Sequence, residues 1–108
     1  MSKQRQNITK EETQDAENET KEYVLRLFVT GASPNSIRAI SNLKQICETY
    51  IKGKYLLEII DVYQQKTIAE TEQIVSLPLL IKIVPAPQRR LIGDMSDTNK
   101  VLRGLGLA

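Results

Sequence analysis

The side chains able to do chemistry are few, and most of the usual apparatus is missing. The chain contains no histidine, which removes the commonest general base and metal ligand. It therefore cannot build a Ser–His or Cys–His pair. A single cysteine, Cys47, forms no internal disulfide and no two-thiol metal or redox site. Glu70 and Glu72 stand two apart on a predicted helix and diverge, so they do not make a carboxylate pair. Asp61 ends a predicted strand, where it caps or meets solvent. No glycine-rich phosphate loop is present, and nothing in the residue pattern asks for a cofactor. The most suggestive polar cluster is Lys82, Arg89 and Arg90. Two readings of it stand: solubility and protection of a strand edge, or recognition of an acidic protein surface through forked arginine contacts.

These residues must be positioned by a short series of elements. Tyr23–Thr30 (Y-V-L-R-L-F-V-T) reads as a central strand buried on both faces, ended by Gly31. Ser33 is a good helix cap and Pro34 a good first helical residue. Ile37, Ile40, Leu43, Ile46, Cys47, Tyr50 and Ile51 then recur at helical spacing and predict one apolar stripe on a helix of about 17 residues. Gly53 is placed for its C-cap, between two lysines. Tyr55–Val62 is a second strand, parallel to the first across a βαβ unit. Thr67 and Glu70 have capping-box spacing and open a short helix to about Val75.

The segment Ser76–Asp94 is harder to read. Leu77–Val84 carries β-branched residues that favour a strand. Leu79, Leu80, Ile83 and Val84 also suit one face of a short helix, and periodicity alone does not arbitrate. The strand reading gives a hairpin around Pro85–Gln88, with Pro78 at its entry and Gly93–Asp94 closing its second strand. There Arg89 and Arg90 open the strand and point to opposite faces. Ser96 then caps a last helix with Val101, Leu102 and Leu105 inward, and Gly104 and Gly106 predict a frayed end.

The predicted order is β-α-β-α-β-β-α, an α/β, thioredoxin-like layout with a mixed four-stranded sheet and helices on both faces. A thioredoxin enzyme carries Cys-x-x-Cys at the start of its long helix, where the helix dipole lowers the thiol pKa. Here the position reads Ala32-Ser33-Pro34-Asn35, and Cys47 lies more than about three helical turns further on. Disulfide exchange, and enzymatic activity generally, are not expected.

Within this layout, Y-V-L-R-L-F-V-T-G-A-S-P-N-S-I-R-A-I, L-E-I-I-D-V, A-E-x-x-x-I-V-S-L-P-L-L and Q-R-R-L-I-G-D-M-S-D resemble the circadian clock protein family KaiB, over about Lys21 to Leu107. The resemblance implies a non-enzymatic regulator of the hexameric ATPase KaiC that binds its N-terminal ATPase ring. It also implies a metamorphic second half, packed in a homotetramer in another strand and helix order or switched to the thioredoxin-like order above. KaiA and a KaiC-binding histidine kinase are the further partners it brings in. By position, Arg38, Gln73, Lys82, Arg89 and Arg90 match the partner-binding set, and Gly93 and Asp94 match the strand end where substitutions bias the switch. Pro78 matches the cis-proline of thioredoxin-like folds, and Pro85 and Pro87 match a proline-rich turn. Proline isomerisation takes tens to hundreds of seconds, so the implied rearrangement is slow. Gln73 stands where the family often has lysine, and Leu77 and Leu79 flank Pro78 where threonine is usual. These departures, with a long polar N-terminus and no acidic C-terminal extension, suggest a divergent branch.

The bulk properties agree with one interaction domain. Residues 1–22 are a polar segment with six acidic and four basic side chains, read as a solvated disordered tail. Residues 23–108 hold eleven basic and seven acidic side chains and form the folded domain. That surplus is too small to argue for nucleic acid; an acidic protein partner fits it. No apolar run approaches the roughly 20 residues of a membrane span, and no signal-peptide core is seen, which fits a cytoplasmic protein. A homo-oligomer, dimer or tetramer, is the expected resting state.

Overall fold

The computed structural model describes residues 21–71, 74 and 76–108, so the predicted tail, apart from Lys21 and Glu22, lies outside the described residues. Seven elements follow one another: β1 (Tyr23–Val29), α1 (Pro34–Tyr50), β2 (Tyr55–Asp61), α2 (Lys66–Thr71), β3 (Leu79–Val84), β4 (Arg89–Ile92) and α3 (Thr98–Leu105). The predicted order holds, and the ambiguous run Leu77–Val84 resolves as a strand. The sheet runs β2-β1-β3-β4. β1 pairs parallel with β2 and antiparallel with β3, and β3 pairs antiparallel with β4.

Alternation along β1 explains how the sheet acquires two cores. Leu25, Leu27 and Val29 join Leu80 of β3 under α1 and α3, with Ala39, Leu43, Ile46 and Cys47 from α1 and Val101, Leu102 and Leu105 from α3. Phe28 faces the other way, where it meets Ile60, Leu79 and Ile81, with Ile68 of α2 packed against them. β1 is thus central and buried on both sides, as its unbroken apolar run requires.

Several local readings need correction. On α1 the buried face is Ser36, Ala39, Leu43, Ile46 and Cys47, whereas Ile37 and Tyr50 are 56% and 51% exposed. One residue is about 100° of helical turn, which carries Ile37 off the face that Ser36 begins. Tyr50 is the last helical residue and borders an open depression with Asn42, Ile46 and Thr98. The C-cap is Ile51, whose amide donates to the Cys47 carbonyl; Gly53, at φ 76°, instead makes the turn into β2. Thr67 lies inside α2 and does not cap it. The turn before it hangs on Asp61, whose carbonyl takes the Gln64 and Gln65 amides at 3.0 and 2.9 Å, and helical bonding starts at Lys66. The predicted end of α2 near Val75 lies outside the described residues.

The last helix also starts and ends differently. Its cap is Asp97, which accepts the Lys100 amide at 3.1 Å. Ser96 does not serve, because its own amide is turned back to Asp94 Oδ1. The end is closed and not frayed. Gly106 takes the left-handed conformation at φ 82°, and Leu107 donates to the Leu102 carbonyl at 2.8 Å, the bonding of a glycine-terminated helix. Gly104 has a packing role: an added Cβ would collide with the Leu91 side chain.

Candidate functional site

The start of α1, where a thioredoxin-like fold would carry thiols, holds a knot of hydroxyls. Ser33 Oγ accepts the Ser36 amide at 3.2 Å and donates to Ser36 Oγ at 2.8 Å. Ser36 Oγ in turn accepts the Thr30 amide at 3.0 Å, and Thr30 Oγ1 lies 3.2 Å from Ser33 Oγ. Ser36 is fully buried. The cap therefore satisfies α1's first amides and the end of β1 together. Asp61 is equally occupied: its Oδ1 accepts the Gly31 and Tyr63 amides at 3.2 and 2.9 Å, the capping role its strand-end position predicts. A serine nucleophile needs an adjacent base to take its proton. These serines meet only hydroxyls and backbone.

The lone thiol is no better placed for chemistry. Cys47 is fully buried on α1, and desolvation, reinforced by Glu48, pushes its pKa up to about 12. Thiolate is the reactive form, so this thiol is held in its inert state. Among the described residues, no group of three His, Cys, Asp or Glu side chains is arranged to hold a metal, and no helix is long and apolar enough to cross a membrane.

The surface also carries charge. Arg89 and Arg90 are both exposed on β4. Lys82 lies directly across from Arg89 in the β3–β4 register but is only 4% exposed. Burial, and then the charge of Arg89, pull its ammonium below the ordinary lysine range. Lys82, expected in the partner-binding set with Arg89 and Arg90, is therefore buried here. In its place α3 supplies Lys100 and Arg103, which with Arg89, Arg90, Leu91 and Gly104 line one open depression of about 380 Å³. The sequence reading missed these two. Their signal was a pair of cations three apart on one helix face, readable only once α3 is known to return beside β4.

Arg38 sits elsewhere, beyond the first turn of α1. Its Nε lies 3.4 Å from Asp94 Oδ2, and its Nη2 donates to Asn35 Oδ1. Asn42 Nδ2 donates to the Asp94 carbonyl at 2.9 Å. A residue placed in the partner-binding set therefore clasps one placed in the switching set. Asp94 carries a depressed carboxyl pKa, chiefly through the Ser96 side chain and amide and then through Arg38. Gly93 has φ 124°, a conformation side-chain-bearing residues rarely adopt, and its amide donates to the Pro78 carbonyl at 3.0 Å. The peptide bonds before Pro78, Pro85 and Pro87 are all cis; Pro78 is buried, and Pro85 and Pro87 are exposed in the β3–β4 turn. Gln73 lies outside the described residues.

Comparison with known proteins places this geometry. The solved N-terminal domain of Synechococcus elongatus SasA superposes with a TM-score of 0.66 at 27% identity, over 82% of this chain and 87% of that one. The thioredoxin Deadhead of Drosophila melanogaster superposes at 0.67 with 15% identity, over 91% of both chains. The fold is thioredoxin-like. Among sequences, the circadian clock oscillator protein KaiB of Prochlorococcus marinus subsp. pastoris is 52% identical over 87 residues, 81% of each chain. That of Picosynechococcus sp. is also 52% identical over 87 residues, covering 81% of this chain and 84% of the relative. The KaiB domain model matches residues 26–107, a span that takes in the hydroxyl knot, the Arg38–Asp94 clasp and the cationic depression alike, and the chain belongs to the KaiB family.

Proposed function

We propose that this chain is a non-enzymatic regulator that docks on the N-terminal ATPase ring of a KaiC-like hexameric ATPase, in a circadian clock or a related timing or stress pathway of the cytoplasm. The observation that carries the reading is the hydroxyl knot. A thioredoxin-like fold in a KaiB-family chain keeps its helix-start geometry but holds no thiol there, so recognition is what the surface is left to do. Arg38, Arg89 and Arg90 are the exposed members of its contact set, which Lys82 and Gln73 complete. KaiA or a KaiC-binding histidine kinase would share the pathway.

In this proposal the chain rests as a homo-oligomer, dimer or tetramer, and its second half rearranges slowly into the order described here before docking. Pro78, Pro85, Pro87, Gly93 and Asp94 all lie in the segment that would rearrange. If the competent form were about 1% populated, apparent affinity would fall roughly 100-fold. A second reading keeps the fold fixed, as an interaction domain of the kind found in KaiC-binding sensor kinases; the likeness to the SasA domain favours it.

Size-exclusion chromatography of the chain with a KaiC homologue, sampled over hours, separates these. Slow growth of a complex, abolished by Arg89→Glu with Arg90→Glu, is the expected result. Immediate single-phase complex formation by a monomer selects the fixed domain. No complex after long incubation removes both.

A further inference from the structure

In the depression between β4 and α3, Arg89, Lys100 and Arg103 meet no carboxylate among the described residues. Arg89, Lys100 and Arg103 are exposed there, with Arg90 at the margin. The ion pairs Arg26–Glu58 and Arg38–Asp94 lie elsewhere on the chain. Lys100 Nζ reaches only the Ile92 carbonyl, at 3.4 Å. The nearest acid along α3, Asp97, is spent on the helix's own cap.

The same chain carries the opposite pattern just ahead of its described residues. Residues 11–19 read E-E-T-Q-D-A-E-N-E: Glu11, Glu12, Asp15, Glu17 and Glu19, with no cation among them. This run lies outside the span matched by the KaiB domain model, residues 26–107. We propose that this carboxylate run docks on the cationic face of Arg89, Lys100 and Arg103 of its own chain.

The topology puts the two within reach. Lys21–Tyr23 enters β1 beside the start of β2, where Glu22 and Tyr23 both donate to the Lys54 carbonyl. Leu25 is level with Lys82, and Lys82 with Arg89, so Arg89 lies at the same end of the sheet as the entry to β1. Crossing from β1 to β4 covers two strand spacings, about 10 Å. Four residues along the strand add about 13 Å. Asp15 precedes Lys21 by six residues and Glu12 by nine, spans of up to about 20 and 30 Å when extended. A short tether holds its ends at an effective concentration on the order of millimolar, which favours the contact over the same pairing between separate chains at micromolar concentration.

Zero-length carbodiimide cross-linking of the full chain, read by mass spectrometry, tests this. At low ionic strength Lys100 should join Glu11, Glu12 or Asp15. The links should fade in about 0.5 M salt, where screening reaches only a few ångströms. Arg89→Glu with Arg103→Glu should lower them about fivefold, two exposed pairs each being worth a factor of a few. An equal mixture of nitrogen-15 and ordinary chain distinguishes the occupant: links within one isotope support the proposal, and hybrid links assign the face to a second copy and overturn it. Links insensitive to salt and to charge reversal, or spread equally over Lys44, Lys52 and Lys66, also overturn it. As a check that leaves the domain untouched, Glu11→Gln, Glu12→Gln and Asp15→Asn together should move the amide resonances of residues 89–92 and 100–104 and few others. Unmoved resonances sink the proposal. Competition between this run and an ATPase for Arg89 and Arg90 would rest on the proposed function; the cross-link does not, so the two fail separately.

Discussion

Among the described residues, thirteen buried side chains fill the space between the sheet and α1 and α3, while four do so on the side of α2. The inequality shows where the fold is held. Fully burying one leucine or isoleucine is worth roughly 1.5–3 kcal/mol, so the side of α1 and α3 carries most of the apolar stabilisation. On the α2 side the register leaves Leu56, beside Val24, and Ile92, beside Leu79, 38% and 52% exposed. One sheet thus carries a thick core on one face, although Ile59 beside Leu27 there is 37% exposed, and a thin one on the other. The hydroxyl knot and the Arg38–Asp94 clasp are both made by α1, a helix of the thick side.

Cys47 offers the sharpest way to break this comparison. It is buried on α1 with its pKa pushed up to about 12 from the ordinary 9.0. At pH 8 a shift of that size alone cuts the thiolate fraction by about a thousandfold. Thiol labelling in the native chain should therefore run at least about a thousandfold slower than in denaturant. Labelling within tenfold of the denatured rate would mean that the thick side opens readily and that the contrast is false.

Core truncation comes next in size. Leu27→Ala, in the central strand on the thick side, should lower unfolding stability by about 3–5 kcal/mol. Ile68→Ala, on half-buried α2, should cost about 1 kcal/mol and leave Cys47 protection unchanged. Urea midpoints measure both, and equal losses would erase the distinction between the faces.

Much of this inequality was legible in the sequence, and the reasons are local. Ser33-Pro34 announces a helix start through side-chain capping and a fixed φ, and the unbroken apolar run of β1 announces burial on both faces. What escaped depended on contacts far apart in the chain. Lys82 is buried because β3 places it between Leu25 and Arg89, which no window around residue 82 contains. Arg38 finds Asp94 56 residues away. Lys100 and Arg103 join Arg89 only because α3 folds back on β4. The caps at Ile51 and Asp97 were missed for a smaller reason: Gly53 and Ser96 are good capping residues that the neighbouring turns use for other bonds.

The seam between α3 and β4 gives an intermediate effect on the thick side. A Cβ at residue 104 collides with Leu91, and overpacking costs about 1–3 kcal/mol. The better helix propensity of alanine returns up to about 1 kcal/mol. Gly104→Ala should therefore destabilise by about 1–2 kcal/mol, and Leu91→Ala in the same chain should remove most of that increment. Strict additivity of the two in urea unfolding would show that the seam is loose, and that the thick side owes little to its fit there.

The smallest effect concerns the clasp that ties α1 to the loop before α3. The Asp94 carboxylate accepts from the Ser96 amide at 3.1 Å and from Arg38 Nε at 3.4 Å, and its pKa lies below the ordinary 3.8, first through Ser96 and then through Arg38. A carboxylate with a depressed folded-state pKa binds fewer protons folded than unfolded, so stability rises with pH through that interval. Its contribution is present above the unfolded value and drains away as pH falls through the folded one. Asp94→Asn keeps the shape and removes the titration. The two chains should differ most above the ordinary carboxylate range and converge as pH falls through the depressed folded-state value. Arg38→Gln should fall between them, since it leaves the Ser96 bonds in place. Both side chains of the pair are partly exposed, 54% and 29%, so about 0.5 M salt should narrow the Arg38 contribution while sparing that of Ser96. An offset between wild type and Asp94→Asn that is constant with pH would place the role of Asp94 in its backbone carbonyl, held by Asn42, and not in its charge.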